Sequence, residues 1–441
     1  MAVVGCLFLD ISVGEFNLLA FIYPYFSSYF HSYDPSITPA SMVLLPSLWL
    51  LAYTTVCPLS IVMYNRLGFK LTFLLLVCIF FAGQLLSALI SNFYLFSLVY
   101  SVFGGSAQGG LAILPMYCCW RYFPESKKSI ISGIILSAYA LAPIGTSIIA
   151  LKIINPDNVS PTKDGEFSYF GPEVYMNVPR FLRTFGVFCF CLGIVGILMI
   201  MEPIPEEEDN INMVELLEGS PNSRTMERDS NYKLVAHYEI HNVTWDDVRF
   251  FFYDSDFRKM YLLLFIGFLY PNFLIFNFKQ IGLEKLSNPD RYLNYIGGVA
   301  SLFNAGSRLV LGMVFQHVGI KAAVGTTIFI TVTSAFTFLF LASNKVTYGL
   351  SLCYFYICYG GQLGIYPLLA SSVFRAKGAL AYSLLFSGFT FSCLLVSFLH
   401  SWLTKLVGLN TVMITLGLVS LIPVPWVRQL SDTIMVKHSL V

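Results

Sequence analysis

Charge is what this sequence has least of. Only 12% of its 441 residues are Asp, Glu, Lys or Arg, against about a quarter in soluble domains. A water-soluble fold of this composition would have to expose a large greasy surface. The formal net charge of +1 gives no electrostatic reason to expect nucleic acid as a partner. Tryptophan is scarce at 5 residues, whereas 40 Phe and 26 Tyr supply the aromatic load of lipid contacts and interfacial belts. All 10 cysteines fall inside apolar runs. Cys118-Cys119 and Cys189-x-Cys191 have no matching Cys or His pair at metal-site spacing, so the cysteines read as small packing residues, and neither metal nor cofactor is expected. No Gly-rich phosphate loop ends in Lys-Ser/Thr, and His-Glu-x-x-His and Gly-x-Ser-x-Gly are both missing. No catalytic constellation is in view, and nothing here binds a nucleotide as an energy source. The first residues lack a basic n-region and a small-residue cleavage site, so the apolar start reads as a first span and not as a removable signal.

What the chain does have is long apolar runs; its mean hydropathy is +0.70. Crossing the hydrocarbon core takes about 20 apolar residues. Six such runs precede Glu202: Val3–Phe26, Met42–Tyr64, Leu71–Ile90, Phe93–Tyr117, Ile130–Ile153 and Phe181–Met201. Six more follow Lys259: Tyr261–Phe278, Tyr292–Phe315, Ala322–Ala342, Tyr348–Val373, Leu380–His400 and Leu406–Val427. Uninterrupted runs of this length in lipid mean helices, because only helices or closed barrels satisfy their own backbone there. Between the two sets lies the only long polar interval, Glu202 to Lys259, with its acidic run Glu206-Glu207-Glu208-Asp209. It reads as a solvated linker. The expected organisation is an N-terminal six-helix bundle at 1–201, a linker at 202–258, a C-terminal six-helix bundle at 259–428 and a tail at 429–441.

Basic residues set the expected orientation. Loops after even-numbered spans hold Arg66, Lys70, Arg121, Lys127, Lys128, Lys321, Arg375 and Lys377. The first two opposite loops, around Asp34 and Asn92, hold none, although those around Lys163 and Lys285 do. The positive-inside rule then places both termini and the linker in the cytoplasm.

The halves echo each other. Asn65-Arg66-Leu67-Gly68-Phe69-Lys70 follows the second span, and Gln316-His317-Val318-Gly319-Ile320-Lys321 follows the eighth, about 250 residues later. In the fourth span Gln108-Gly109-Gly110 leads to Pro115; in the tenth, Gly360-Gly361-Gln362 leads to Pro367. Glycine clusters let membrane helices approach closely. These echoes at a near-constant offset indicate a duplicated six-helix unit.

At these residues the sequence resembles the major facilitator superfamily, whose loop between spans two and three usually reads Gly-x-x-x-Asp-Arg-x-Gly-Arg-Lys/Arg. Arg66, Gly68 and Lys70 match, while Asn65 replaces the acid and Ile61 stands where the glycine belongs. The second copy keeps Gly312, Gly319 and Lys321. The resemblance implies that Arg66, Gly68, Lys70, Gly319 and Lys321 belong to loops that lock the halves in one of two alternating states. Within the superfamily the sequence is most similar to the oxalate–formate antiporter-like and monocarboxylate transporter branch. The resemblance is carried by Trp120-Arg121-Tyr122-Phe123-Pro124, Lys127-Lys128, Ser132 to Tyr139, Asn155-Pro156-Asp157, Asn177-Val178-Pro179 and Asn304-Ala305-Gly306-Ser307-Arg308. It covers both halves but not the linker.

Arg308 is the sharpest single signal. It lies about 7 residues, or about 10 Å, from the end of its span, a strained distance for snorkelling, so it should face a watery cavity or an acidic partner. The resemblance implies that it binds a substrate carboxylate, for which a guanidinium offers paired donors; a structural ion pair is the alternative. Asn304 is one turn earlier on the same face and, being neutral, leaves Arg308 free for an anion. The family's oxalate carriers place a lysine in the eleventh span. Here Tyr382 to Phe389 holds no cation, so a monoanion is expected in place of a dianion. In the first span, Glu15 and Asp10 are candidate proton carriers, with Glu15 nearer mid-membrane and Asp10 nearer the cytoplasmic rim; pairing with polar groups of a neighbouring helix is the alternative. Tyr139, Gln108 and Gln362 are candidate substrate contacts in the cleft, as are Gln84, Asn272 and Asn277. Lys152 and Lys279 read as interfacial anchors near the outer span ends.

The expectation is therefore an all-α membrane protein of about 12 transmembrane helices in two pseudo-symmetric six-helix bundles. It would be a monomeric secondary transporter of a small organic anion, coupled to protons or working by exchange. A facilitator of a neutral or zwitterionic solute, or a non-transporting sensor or assembly subunit, are the alternatives.

Overall fold

The structure, a computed structural model, describes residues 1–120, 123, 125–164, 167–200, 245–286, 290–318, 320–341, 343–374 and 377–429. Most of the polar linker and most of the tail, with Gly319 and Arg375, lie outside the described residues. Helices account for every expected span, as backbone satisfaction in lipid demands. The first span is α1 (Ala2–Ser12), a 3-10 turn (Gly14–Asn17) and α2 (Leu19–His31). The second and third share one hydrogen-bonded run, α3 (Leu44–Ser87), bent at Gly68. Then come α4 (Phe93–Leu111), α5 (Leu114–Trp120), α6 (Glu125–Ile154), a short α7 (Pro172–Tyr175) and α8 (Val178–Met199).

The second half begins with α9 (Trp245–Tyr253) and α10 (Ser255–Gly267), so helix reaches further back into the polar interval than expected. Asp254 caps α10, its Oδ1 accepting from Phe257 N at 2.8 Å, and Phe251 buries its ring against Phe374 at 5.1 Å. Next are α11 (Leu269–Lys285), α12 (Asp290–Val318), α13 (Ile320–Leu341), α14 (Lys345–Phe374), α15 (Gly378–Val407), α16 (Leu409–Val419) and α17 (Val424–Gln429). The departure from helix is a hairpin in the loop after the fifth span, with β1 (Thr162–Asp164) antiparallel to β2 (Phe167–Tyr169).

Among the described residues, eight helical segments are long and apolar enough to cross a membrane on those grounds alone. The bent α3 counts once among them, and the first, eighth and tenth spans fall short. Those three are broken or carry inward polar residues, which is where a transport path should show itself. Outward faces carry Leu74, Leu86, Tyr94, Phe329, Phe340, Leu350 and Phe398 in the open, a greasy exterior suited to lipid.

Two pairings show the duplication at atomic scale. A Cβ added at Gly109 would lie 2.3 Å from the Tyr53 carbonyl oxygen, so α4 touches the α3 backbone. A Cβ at Gly360 would lie 2.2 Å from the Asn304 carbonyl oxygen, so α14 touches the α12 backbone. The glycine clusters of spans four and ten thus do the packing job expected of them, each against the second span of its own half. The bundles meet where α6 runs along α12, α3 along α15 and α2 along α11. Because successive spans alternate in direction, Met1 and residues 65–70 mark one face of the molecule, here the near face. Residues 32–43 and 155–177 mark the opposite, far face.

At the near face, Gly68 adopts φ 74°, a left-handed conformation that favours glycine. Its neighbours Arg66 and Lys70 are exposed. Lys321, in the corresponding loop of the second half, is half-buried.

Candidate functional site

A cavity of about 60 Å³ lies between the bundles, and its polar wall is Asn17, Tyr53, Gln108, Tyr139, Arg308, Tyr359 and Tyr382. At roughly 10–15 Å³ per water, it holds about five waters or a solute with a similar number of heavy atoms. Arg308 is buried, with 4% of its surface exposed, and it reaches the cavity from α12. Its Nε donates to Asn304 Oδ1 at 3.0 Å, the one-turn pairing expected from the sequence. Its Nη1 donates to the Leu136 carbonyl oxygen of α6 at 2.6 Å, across the bundle boundary. A guanidinium has five N–H donors, so these two bonds leave others for a ligand. Among the described residues no carboxylate forms an ion pair with it.

The opposite wall depends on a proline. Pro143 sits inside α6 and has no N–H, so the Tyr139 carbonyl four residues back loses its helical donor. Asn17 Nδ2 supplies the bond instead, at 3.0 Å. This ties the 3-10 turn of the first span to α6 and fixes where the Tyr139 side chain enters the cavity. The Tyr139 hydroxyl makes no hydrogen bond among the described residues. Gln108 is oriented by Trp49, whose Nε1 donates to Gln108 Oε1 at 2.5 Å.

Reading the first span as one continuous helix missed its break, and the break changes where the acids lie. Gly14 starts the 3-10 turn, and Glu15 and Asn17 sit within it. Glu15 is buried inside the N-terminal bundle and does not line the cavity, although its neighbours Phe16 and Asn17 do. It accepts from the Tyr100 hydroxyl at 2.8 Å and from Gln84 Nε2. Asp10, on α1, has no exposed surface. Neither of its oxygens has a hydrogen-bond partner among the described residues.

Gln362 does not join the cavity. Its Nε2 donates to Thr331 Oγ1 at 2.6 Å, because its position on α14 faces α13 inside the C-terminal bundle. Gln84 is taken by Glu15, and Asn272 Nδ2 bonds Phe389 O and Ser392 Oγ of α15, each at 3.4 Å. Lys152 is exposed near the far end of α6, as an anchor should be. Lys279 is not an anchor: it is 1% exposed and pairs with Asp290 at 2.9 Å. Tyr359, Tyr382 and the Leu136 carbonyl were not singled out from the sequence. Tyrosines were too many to rank, and a backbone carbonyl carries no sequence signal at all.

The sequence matches the model of the Major Facilitator Superfamily over residues 4–379, and the chain belongs to that superfamily. It is a multi-pass membrane transporter that moves a small solute by alternating access, and not an enzyme. Apicoplast pyruvate carrier 1 of Toxoplasma gondii is 24% identical over 394 residues, covering 80% of this chain and 68% of that protein. The inward open conformation of the xylose transporter XylE from E. coli superposes with a TM-score of 0.71 at 10% identity, covering 99% of this chain and 98% of that one. Its partially occluded inward open conformation gives 0.68 at 10% identity, covering 98% and 97%. At such identities the likeness to XylE is one of fold.

Proposed function

We propose that this transporter carries a small organic monoanion whose carboxylate binds Arg308. The observation that carries the reading is a buried guanidinium in an inter-bundle cavity, with donors to spare and, among the described residues, no carboxylate paired to it. An arginine so placed is a functional site by default in a membrane protein, and bidentate donors suit a carboxylate. Tyr139 and Gln108 complete the contacts. The cavity suits a solute of a few heavy atoms, and the relative from Toxoplasma gondii is named as a pyruvate carrier. Phe389 lines the cavity where a dianion would need a second cation, which favours a single negative charge.

Glu15 and Asp10 are the proposed proton carriers of a symport cycle. Both are buried in the span that bends around the cavity, Asp10 before the break and Glu15 within it. Arg66, Gly68, Lys70, Gly319 and Lys321 are proposed to lock the near face, with both termini cytoplasmic and the chain acting as a monomer.

A second reading takes a neutral solute, with Arg308 serving as a strut. It is favoured by the bond from Arg308 to Leu136, which occupies the guanidinium without any anion. Uptake of labelled monocarboxylates into proteoliposomes under an imposed pH gradient separates the two. Gradient-stimulated uptake, competed by other monocarboxylates and not by sugars, is expected. Absence of carboxylate uptake, with a neutral solute carried instead, would overturn the anion reading.

A further inference from the structure

We propose that Lys279 and Asp290, on the C-terminal bundle, form with Tyr25, Asn155 and the Phe21 carbonyl of the N-terminal bundle a latch that closes the far mouth of the transport path. Asp290 opens α12 and is 18 residues before Arg308, about 27 Å along the helix, so this cluster is separate from the cavity. Lys279 and Asp290 are 1% and 3% exposed.

The contacts of the pair divide by bundle, and Asp290 Oδ1 meets the Lys279 ammonium without a further hydrogen bond among the described residues. Within the C-terminal bundle, Lys279 Nζ meets Asp290 Oδ1 at 2.9 Å and donates to Asn294 Oδ1 at 3.4 Å. Toward the N-terminal bundle, the same nitrogen donates to the Phe21 carbonyl oxygen at 2.7 Å and lies 4.4 Å from the Tyr25 ring centre. Asp290 Oδ2 accepts from the Tyr25 hydroxyl at 2.8 Å and from Asn155 Nδ2 at 3.0 Å. Beneath this layer the seal is apolar. Phe21 packs edge-on against Phe278 at 5.4 Å, and a Cβ at Gly297 would lie 2.4 Å from the Phe21 ring.

That division is what makes it a latch and not a scaffold. Both charges sit on one bundle, so the ion pair survives when the bundles part. Only the bonds to Phe21, Tyr25 and Asn155 are lost, and water entering the open mouth replaces them. A buried pair gains little net stability, because desolvation offsets its Coulomb attraction, so the closed state is held reversibly. Removing one charge is different. The remaining charge is then unpaired in the closed mouth but solvated in the open one, which biases the equilibrium toward far-side opening.

The test needs no substrate, so it stands apart from the anion reading. Ala112, in the cavity wall, is replaced by cysteine in the full chain in proteoliposomes. A membrane-impermeant maleimide is added at the far or the near face, and labelling is counted above a control without that cysteine. Asp290→Asn and Lys279→Gln are each expected to raise far-face labelling at least tenfold and to lower near-face labelling. The double variant, which restores neutrality, is expected within threefold of the parent. Unchanged far-face labelling in both single variants overturns the latch. So does an equal rise at both faces, or a double variant as open as the singles. If the charge variants do not fold, Tyr25→Phe removes no charge and two bonds, the one its hydroxyl donates to Asp290 Oδ2 and the one it accepts from Lys279 Nζ at 3.4 Å; a several-fold rise at the far face supports the latch, and no rise overturns it.

Discussion

The guanidinium of Arg308 is bonded to both bundles at once, to Asn304 on its own helix at 3.0 Å and to the Leu136 carbonyl of the other bundle at 2.6 Å. The residue proposed to hold the cargo is thus also part of the contact that must change as the bundles rock. An anion that draws Arg308 away from Leu136 would couple occupancy to movement, because a ligand shifts a conformational balance only through contacts that differ between states.

Arg308→Ala should therefore lower monocarboxylate uptake by ~30-fold or more, the scale of losing one partner from a desolvated charge contact, roughly 2–5 kcal/mol. Arg308→Lys should rescue little, since an ammonium cannot offer the paired planar donors of a guanidinium. Initial uptake rates at matched protein incorporation measure both. Uptake in Arg308→Lys close to that of the parent would mean that charge alone suffices and that the bidentate geometry is not used.

Glu15 gives a sharper test of coupling. Glu15→Gln retains the size of the side chain and can still accept from Tyr100, but it cannot pick up and release a proton. Accumulation driven by a pH gradient should fall about tenfold for each unit of imposed gradient, the ~1.4 kcal/mol that one coupled proton supplies, while exchange between internal and external substrate persists. Asp10→Asn, run in parallel, distinguishes the two carboxylates. If both variants still accumulate substrate against its gradient, neither acid carries the proton.

Much of this arrangement is legible in the sequence. Apolar runs of membrane length located every span, and the glycine clusters marked spans four and ten as places of close helix approach. The four-residue spacing of Asn304 and Arg308 placed them on one face. The breaks at Gly14 and between Gly267 and Leu269 were not legible, because an apolar run looks the same whether its helix is continuous or bent. Nor was the inward side of most helices. In lipid both the packed and the exposed faces are apolar, so periodicity cannot say that Gln362 faces α13 and not the cavity. Lys279 was misread for a related reason: its partner Asp290 lies eleven residues on, beyond a loop, where no helical spacing rule pairs them.

Gly360 sets the distance between α14 and the helix that carries Arg308. In Gly360→Ala the new Cβ would sit 2.2 Å from the Asn304 carbonyl oxygen, so α12 must move. A loss of about 1–3 kcal/mol of stability is expected from such overpacking, with weaker anion uptake because Asn304 and Arg308 move together. Gly306 on the same helix is the control, for an added Cβ there meets nothing within 4 Å. Gly306→Ala should leave stability unchanged or raise it by up to about 1 kcal/mol through helix propensity. Thermal unfolding in detergent ranks the three proteins, and equal midpoints for the two variants would mean that α12 yields without cost.

The bond from Asn17 to the Tyr139 carbonyl exists because Pro143 cannot make it. This predicts a dependence between two residues more than a hundred positions apart. Asn17→Ala leaves a buried carbonyl without a donor, which costs about 1–3 kcal/mol. Pro143→Ala alone restores a helical N–H to that carbonyl and makes the Asn17 bond redundant. In the double variant the helix supplies its own donor, so the penalty of Asn17→Ala should largely vanish, giving a coupling of about 1 kcal/mol or more in a double-mutant cycle on thermal stability. Additive effects would show that the carbonyl finds another partner, and that the bend of the first span is held by the close approach of Gly14 to Ala142 instead.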